Sequence, residues 1–300
     1  MRVVGIHGIG QTYKGAAQLK PEWLAAINAG LEEVTGPILG DGDFSMVGFG
    51  PVFRQEGTRR GDSPVDVDDV DPDELDTDEQ KVLVAWWEEA ARLAAAAPPP
   101  GNDPQRDEEP TIQGNEAGTR VRVPAFVQRA LRQLTKSRFF SEVSAQNVLL
   151  FGLRQVRHFL HDPAIKATVL ARVDTAITPD TRVILAHSLG SIVAYEALCR
   201  PSNWNVDTLI TLGSPLGIRK LIFDVLTPRP VGDVGAPPNV RRWVNVADNG
   251  DIVALEKDLA PLFKGVEDVR VYNGWQSHDG SRYLNSKLVG AAIAAALAKA

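Results

Sequence analysis

The alternation of short apolar runs with helical patterns is the feature that most constrains the fold of this chain. Six runs rich in Val, Ile and Leu read as strands: Val3–Ile6, Met46–Phe49, Arg182–Ala186, Thr208–Leu212, Arg242–Val246 and Val269–Tyr272. Helical candidates between or after them are Pro21–Val34, Ile165–Ile177, Ser188–Cys199 and Ser281–Ala298. Continuous apolar runs are typical of strands that are covered on both faces. The alternation therefore predicts an α/β fold with a mainly parallel sheet of about six strands flanked by helices.

This rhythm breaks at residues 54–163, which we interpret as a large, mostly helical insertion within a single domain spanning residues 1–300. Its acidic segment, Asp66–Glu79, contains nine acidic residues and no basic one. A calcium-binding EF-hand loop would need glycine where Asp71 stands and glutamate where Thr77 stands, so we expect a solvated charged loop. The segments that read as helices within the insertion are 80–97, 124–135 and 142–160.

Charge and composition narrow the class of protein. The net charge of −6 over 300 residues gives no reason to expect a nucleic-acid partner. The N-terminal apolar run is too short for a signal peptide, and no window approaches the roughly 18 apolar residues of a membrane span. No Cys/His spacing indicates a metal site, and Tyr13 stands where a dinucleotide-binding loop needs its last glycine. We therefore expect a cytoplasmic protein without stable membrane insertion, cofactor or metal.

The stretch ILAHSLGSIV places Ser188 at the bend between a buried strand and a helix. A strand–serine–helix bend strains the backbone, projects the serine above the sheet and requires small residues two positions before and after it. Ala186 and Gly190 stand at those positions. Because a serine that only capped a helix would not require them, the pattern predicts that Ser188 is a catalytic nucleophile.

A serine hydroxyl needs a base to accept its proton, and that base needs an orienting carboxylate. His278 follows the last strand and precedes the C-terminal helix, where a loop can bring an imidazole to the serine, so we predict that it is the base. The segment RRWVNVADNGDIVA offers two acids. We prefer Asp251, which follows the turn, and keep Asp248 as the alternative because its side chain has a local role open to it in stabilising that turn.

Attack by the serine also requires hydrogen-bond donors for the oxyanion that forms. The backbone N–H of Leu189 follows the serine at a helix N-terminus, where the helix dipole favours negative charge. The second donor should come from the glycine-containing loop after the first strand, and Ile9 N–H is the best candidate. The sequence thus predicts an oxyanion hole formed by Leu189 and Ile9.

Substrate contacts are expected from two places. His7 and Gly8 lie in the loop after the first strand, although supporting that loop is an alternative role for His7. An insertion near the carboxyl edge of a sheet can roof an active site, so Trp86 and Trp87 are expected to line a substrate pocket. Burying the insertion's own core is an equal alternative for both tryptophans.

Together these residues resemble the α/β-hydrolase superfamily, in particular its lipase and esterase branch. The matching stretches are His7–Gly10, Ala186–Gly190, Thr211–Gly217, Asp251–Val253 and His278. Their order, serine then aspartate then histidine, is the order that this fold uses. The resemblance covers residues 1–53 and about 164–300. It implies an α/β-hydrolase fold, with the insertion as a lid or cap, and cleavage of a small-molecule ester with an apolar acyl group.

Two departures from the superfamily pattern stand out. Ala186 replaces the usual first glycine, and the two strands that usually precede the oxyanion-loop strand are missing, which predicts a smaller sheet. Two other functions stay open: a non-catalytic ligand-binding or partner-binding protein of this fold, and a thioesterase or acyltransferase with the same triad. The sequence leaves the oligomeric state open as well.

Overall fold

The structure of the chain is a computed structural model that describes residues 2–9, 11, 14–53, 77–96, 145–274 and 276–298. All six strands run parallel in one open sheet: β1 (Val3–Ile6), β2 (Phe44–Val47), β3 (Val183–His187), β4 (Thr208–Leu212), β5 (Arg242–Asp248) and β6 (Val266–Val271). The helices are α1 (Ala16–Glu32), α2 (Thr77–Ala96), α3 (Ala145–His161), α4 (Pro163–Ala176), α5 (Leu189–Cys199), α6 (Gly280–Leu284) and α7 (Lys287–Leu297). Within the described ranges, two short 3-10 turns lie at Gly50–Phe53 and Phe223–Val225. The prediction of an α/β fold with a six-stranded, parallel sheet is confirmed.

The strands are apolar throughout because helices cover both faces of the sheet. Successive strand side chains point to opposite faces, so Val4 and Ile184 belong to one buried cluster and Val3 and Leu185 to the other. Side chains of α2, α3, α4 and α5 complete the first cluster, and those of α1, α6 and α7 complete the second. Burial on both faces explains why the strands read as continuous apolar runs and show no alternation of apolar and polar residues.

The order of the strands reverses between β1 and β3, near the middle of the sheet. Across the sheet the order is β2-β1-β3-β4-β5-β6, so the chain moves outward from β1 to β2 and then returns to the other side of β1. The connection after β1 enters α1 on one face, whereas β3 leads into α5 on the other face. Ligands of open α/β sheets bind beyond the carboxyl ends of the strands at such a reversal. The fold thus points to the loops after β1 and β3.

Several element boundaries differ from the sequence expectations, and β6 begins at Val266, three residues before the predicted run. The helix expected to begin at Pro21 begins at Ala16, and the proline lies inside α1. The second strand begins at Phe44, two residues early, because β1 pairs with it from Val3 onward. The C-terminal helix expected as one segment is two helices, and the side chain of Ser286 caps the second by accepting from Leu288 N–H.

The two described helices of the predicted insertion share a buried cluster with the sheet. Val82 and Leu83 of α2 and Leu153 and Phe159 of α3 are buried in the same cluster as Ile6 of β1. The acidic residues 66–76 and the expected helix at 124–135 lie outside the described residues. Among the described helices, none is both long and apolar enough to cross a membrane.

Candidate functional site

Ser188 occupies a strained position at the junction of β3 and α5. Its φ of 53° and ψ of −126° are values that residues with a side chain rarely adopt, at a cost of about 1–3 kcal/mol. The surrounding backbone holds this conformation, since Ser188 N–H donates to Leu212 O at 3.0 Å and Ser188 O accepts from Ser191 N–H at 2.9 Å. A strained serine at a strand–helix turn is the local geometry that the sequence pattern predicts.

Small residues allow the neighbouring backbones to approach this turn. A Cβ built on Gly190 would lie 2.5 Å from His7 O, and one built on Gly8 would lie 2.6 Å from the Cβ of Ser188. Glycine is therefore required at both positions, and the loop after β1 lies against the serine. Ala186 is different, because it lies in β3 without positive φ and its methyl group is fully buried in the core. The freedom of glycine is not needed there.

His278 and Asp251 form a hydrogen-bonded pair at the same edge of the sheet. The distance between His278 Nδ1 and Asp251 Oδ2 is 2.8 Å, and Asp251 is fully buried. Asp251 Oδ1 accepts from Val253 N–H at 2.9 Å and from Ala254 N–H at 3.3 Å. These contacts fix the carboxylate in one orientation, facing the imidazole.

The electrostatics of the pair follow from these contacts. Burial acts to raise the pKa of Asp251, but the nearby His278 and the hydrogen bonds from His278 and Tyr283 outweigh it and hold the pKa below its usual value. Asp251 is therefore ionised at neutral pH and only accepts, so His278 carries its proton on Nδ1 when the imidazole is neutral. Nε2 is then left with a lone pair. It is buried and has no hydrogen-bond partner within the described part of the chain. An imidazole in this tautomer can accept a proton at Nε2.

Asp248 is engaged elsewhere. Its Oδ1 accepts from Gly250 N–H at 2.6 Å and its Oδ2 accepts from Asn273 N–H. Burial is the main influence that raises the pKa of this carboxyl. Of the two candidate acids, Asp251 contacts His278, and Asp248 ties the turn after β5 to the loop after β6.

Two other histidines support the loops around the site. His7 donates from Nδ1 to Gly8 O at 2.7 Å and accepts at Nε2 from Phe49 N–H at 3.2 Å, while its ring stacks on that of Phe49. Burial lowers the pKa of His7 to about 4. His187 donates from Nε2 to the backbone oxygen of His278 at 2.9 Å, and burial, followed by the proximity of His278, lowers its pKa to about 3. Both imidazoles are therefore neutral at pH 7.

The helices of the predicted insertion contact the loops of the site from two sides. The Cα of Gly152 in α3 lies against the side chain of Ile9, so that a Cβ there would overlap it. In α2, Glu89 is 3.1 Å from Lys257 Nζ, which also donates to the backbone oxygen of Asp251 at 2.8 Å. One insertion helix thus touches the loop after β1, and the other is linked to the loop that carries Asp251.

The structure places the two expected substrate-contacting tryptophans in α2. Trp86 is 4% exposed and belongs to the first buried cluster, the one that contains Ile184. Its Nε1–H has no acceptor among the described residues. Trp87 is half-buried and packs against the same cluster. Both indoles therefore contribute to packing between α2 and the body of the fold.

Sequence reasoning did not identify two residues that contact Asp251. Tyr283 donates its hydroxyl to Asp251 Oδ2 at 2.7 Å, and Lys257 reaches the backbone oxygen described above. Tyr283 lies 32 residues from Asp251 along the chain, within a segment of otherwise ordinary helical pattern. Nothing in its neighbourhood in the sequence signals the contact, because the contact arises from the position of α6 against the end of β5.

In the described part of the chain, no group of three or more His, Cys, Asp or Glu side chains is arranged to hold a metal ion. Comparison with protein families, with curated proteins and with solved structures finds no match to this chain. Inference about its function therefore depends on the geometry of the site.

Proposed function

We propose that this chain is a serine hydrolase of the α/β-hydrolase type that cleaves carboxylic esters through an acyl-enzyme. The observation that carries the proposal is the convergence, at one edge of the sheet, of a strained serine and a His–Asp pair with a buried carboxylate, whose outer imidazole nitrogen is unpartnered among the described residues. Perturbed, hydrogen-bonded groups of this kind cluster at functional sites, and strain of this kind persists where the surrounding structure enforces it.

In the proposed reaction, Ser188 Oγ attacks the ester carbonyl while His278 Nε2 accepts its proton. Asp251 keeps the imidazole in the required tautomer and stabilises the imidazolium that forms. The protonated His278 then gives its proton to the departing alkoxide, so that an alcohol leaves and the acyl group stays on Ser188. In the second half of the reaction, water attacks the acyl carbonyl while His278 Nε2 accepts its proton. His278 then returns a proton to Ser188 Oγ as it leaves, which releases a carboxylic acid and restores the serine.

The oxyanion of each tetrahedral intermediate requires donors that are in place before reaction. Leu189 is the first residue of α5, so its N–H has no acceptor within the helix and lies at the positive end of the helix dipole. Ile9 follows Gly8, whose backbone lies against Ser188. We assign the N–H groups of Leu189 and Ile9 to the oxyanion hole, which typically contributes 10²–10³ in rate per donor, as a rough figure.

No hydrogen bond joins Ser188 Oγ to His278 Nε2 among the described residues. Catalytic hydrogen bonds are often long in the free enzyme and tighten in the complex with substrate. The proposal therefore expects this bond to form on binding. His187 donates to the backbone oxygen of His278 and so limits how far that loop can move.

We propose that the insertion acts as a cap over this site. Its support is that α3 contacts Ile9 and that α2 is joined through Lys257 to the Asp251 loop. A cap of this kind excludes water from the acyl group and selects substrates by shape. A series of p-nitrophenyl esters of rising acyl length tests it, and we expect kcat/KM to rise and then fall with chain length.

The experiment that tests the proposed function is covalent labelling with a fluorophosphonate probe, which reacts with activated serines. We expect stoichiometric labelling of the wild-type chain and none of Ser188→Ala. A matched control is Ser214→Ala, because Ser214 is also buried at the carboxyl edge of the sheet and we expect that variant to be labelled. Equal labelling of the wild type and Ser188→Ala, or no labelling of either, would refute the assignment of Ser188 as the nucleophile.

A further inference from the structure

Tyr283 is a buried tyrosine of α6 whose hydroxyl joins both halves of the Asp251 loop. The hydroxyl oxygen lies 2.9 Å from Asp248 N and 2.7 Å from Asp251 Oδ2. A backbone N–H can only donate and an ionised carboxylate can only accept. The hydroxyl oxygen must therefore accept from Asp248, and its proton must be directed at Asp251. The geometry leaves this hydroxyl no other orientation that satisfies both partners.

The oxygen that accepts from Tyr283 is the one that His278 contacts. Asp251 Oδ2 accepts from both the tyrosine hydroxyl and His278 Nδ1, while Oδ1 accepts from the backbone N–H groups of Val253 and Ala254. The backbone N–H groups hold the carboxylate through Oδ1, and the tyrosine hydroxyl adds a donor that holds it through Oδ2. Of the two donors on Oδ2, the tyrosine hydroxyl is the one fixed to the end of β5, through Asp248.

Tyr283 also connects the acid to the element that follows the base. Helix α6 begins at Gly280, two residues after His278, and Asp279 caps it by accepting from Arg282 N–H. The tyrosine ring is fully buried against the second core cluster, so the position of its hydroxyl is set by packing. Tyr283 is therefore one rigid side chain that fixes the loop of His278 to the loop of Asp251, in addition to the bond from Ser277 Oγ to Gly250 O at 2.8 Å.

We propose that Tyr283 is a positioning residue that holds the Asp251 carboxylate in line with His278 Nδ1. This inference rests on the proposed function, because it concerns the efficiency of the same acid–base pair. Without the hydroxyl, Oδ2 is held less firmly and the hydrogen bond from Nδ1 loosens, which costs orientation of the base during proton transfer. Tyr283 contacts no reacting atom, so its effect falls on the chemical step and not on substrate binding.

The test is Tyr283→Phe, which keeps the buried ring and removes only the hydroxyl. We expect kcat for a p-nitrophenyl ester to fall about tenfold with KM unchanged, as for loss of a hydrogen bond to a charged group. We also expect the proton NMR resonance of His278 Nδ1–H to move upfield and to exchange faster with water. This spectroscopic readout reports the His278–Asp251 bond directly and does not depend on turnover.

Tyr195→Phe is the matched control. Tyr195 is another fully buried tyrosine whose hydroxyl donates to a backbone carbonyl, that of Ala236, at 2.9 Å. Its removal costs stability in the same way but leaves the His278 resonance and kcat unchanged. If Tyr283→Phe behaves like Tyr195→Phe in both readouts while the wild type is active, the positioning role is wrong and the proposed function stands. If the wild type neither turns over esters nor reacts with the fluorophosphonate, the proposed function fails and the catalytic role of Tyr283 fails with it.

Discussion

Replacing Asp251 by asparagine is the substitution whose outcome the structure determines most fully. Oδ1 of Asp251 faces two backbone N–H donors, so the asparagine amide must place its oxygen there. Its NH2 group then occupies the position of Oδ2, facing His278 Nδ1. His278 Nδ1 now faces an N–H donor and must accept from it, so the proton of the neutral imidazole moves to Nε2. The base is held in the wrong tautomer, and Ser188 has no acceptor for its proton.

The magnitude follows from this reversal of tautomer. In a serine protease, the equivalent aspartate-to-asparagine change keeps the geometry and lowers kcat by about 10⁴, which corresponds to roughly 5.5 kcal/mol of transition-state stabilisation. We expect a loss of the same order for Asp251→Asn, with KM changed little. The asparagine also turns a donor toward the Tyr283 hydroxyl, so we expect a modest loss of thermal stability in addition.

The assay is steady-state hydrolysis of a p-nitrophenyl ester at pH 7 to 9, with Asp248→Asn as the paired variant. Asp248 accepts from the N–H groups of Gly250 and Asn273, and an amide can satisfy only one of those donors with its oxygen. Asp248→Asn should therefore lower the free energy of unfolding by about 1–3 kcal/mol and lower kcat less than tenfold. An equally severe loss of activity in Asp248→Asn, or more than a tenth of wild-type kcat in Asp251→Asn, would show that Asp251 does not orient His278.

Two further predictions concern the close backbone contact at Gly190 and the lowered pKa of the buried His7 imidazole. Gly190→Ala should lower the free energy of unfolding by about 3 kcal/mol or more in urea titrations, because its Cβ would meet the backbone oxygens of Ile6 and His7. Gly42→Ala is the control: it lies in open space and should change the free energy of unfolding by less than about 0.5 kcal/mol. Similar losses for both variants would contradict the close approach of the β1 loop to Gly190. His7 has a pKa near 4 in the folded chain against 6.5 for a free imidazole, so only the unfolded chain takes up this proton between those pH values. The free energy of unfolding should therefore fall as pH decreases from 6.5 toward 4, by at most about 1.4 kcal/mol per pH unit from this group. His7→Gln should make the free energy of unfolding depend less steeply on pH in this range. An unchanged dependence would show that His7 does not contribute.

The sequence was a good guide to the fold because the strands are buried on both faces. Such strands have apolar runs that stand out from the surrounding pattern, and four of the six predicted runs begin within one residue of the observed strand. Prediction failed where packing overrides a local signal. Pro21 is a strong start signal for a helix, yet α1 begins five residues earlier, with Gln18 accepting from Gly15 N–H at its N-terminus.

Some features of the candidate site have a local signal in the sequence, and others depend on contacts between distant segments. The turn at Ser188 could be predicted because strain and close packing demand particular small residues within a short stretch of chain. The sequence favoured Asp251 but kept Asp248 open, since the two acids lie close together in the sequence and the difference is in which loop each one faces. Tyr283 had no local signal at all, because its role depends on a break between α6 and α7 that the helical pattern does not show.

If the chain is a serine hydrolase, Ser188 forms a covalent acyl intermediate during turnover. The most direct measurement is mass spectrometry of the chain quenched with acid during turnover of p-nitrophenyl acetate. We predict an intact mass increased by one acetyl group, with peptide fragmentation placing that group on Ser188, and no such species in Ser188→Ala. An acetyl group on another residue that turns over at the rate of the reaction, or ester hydrolysis by Ser188→Ala at the wild-type rate, would contradict the account.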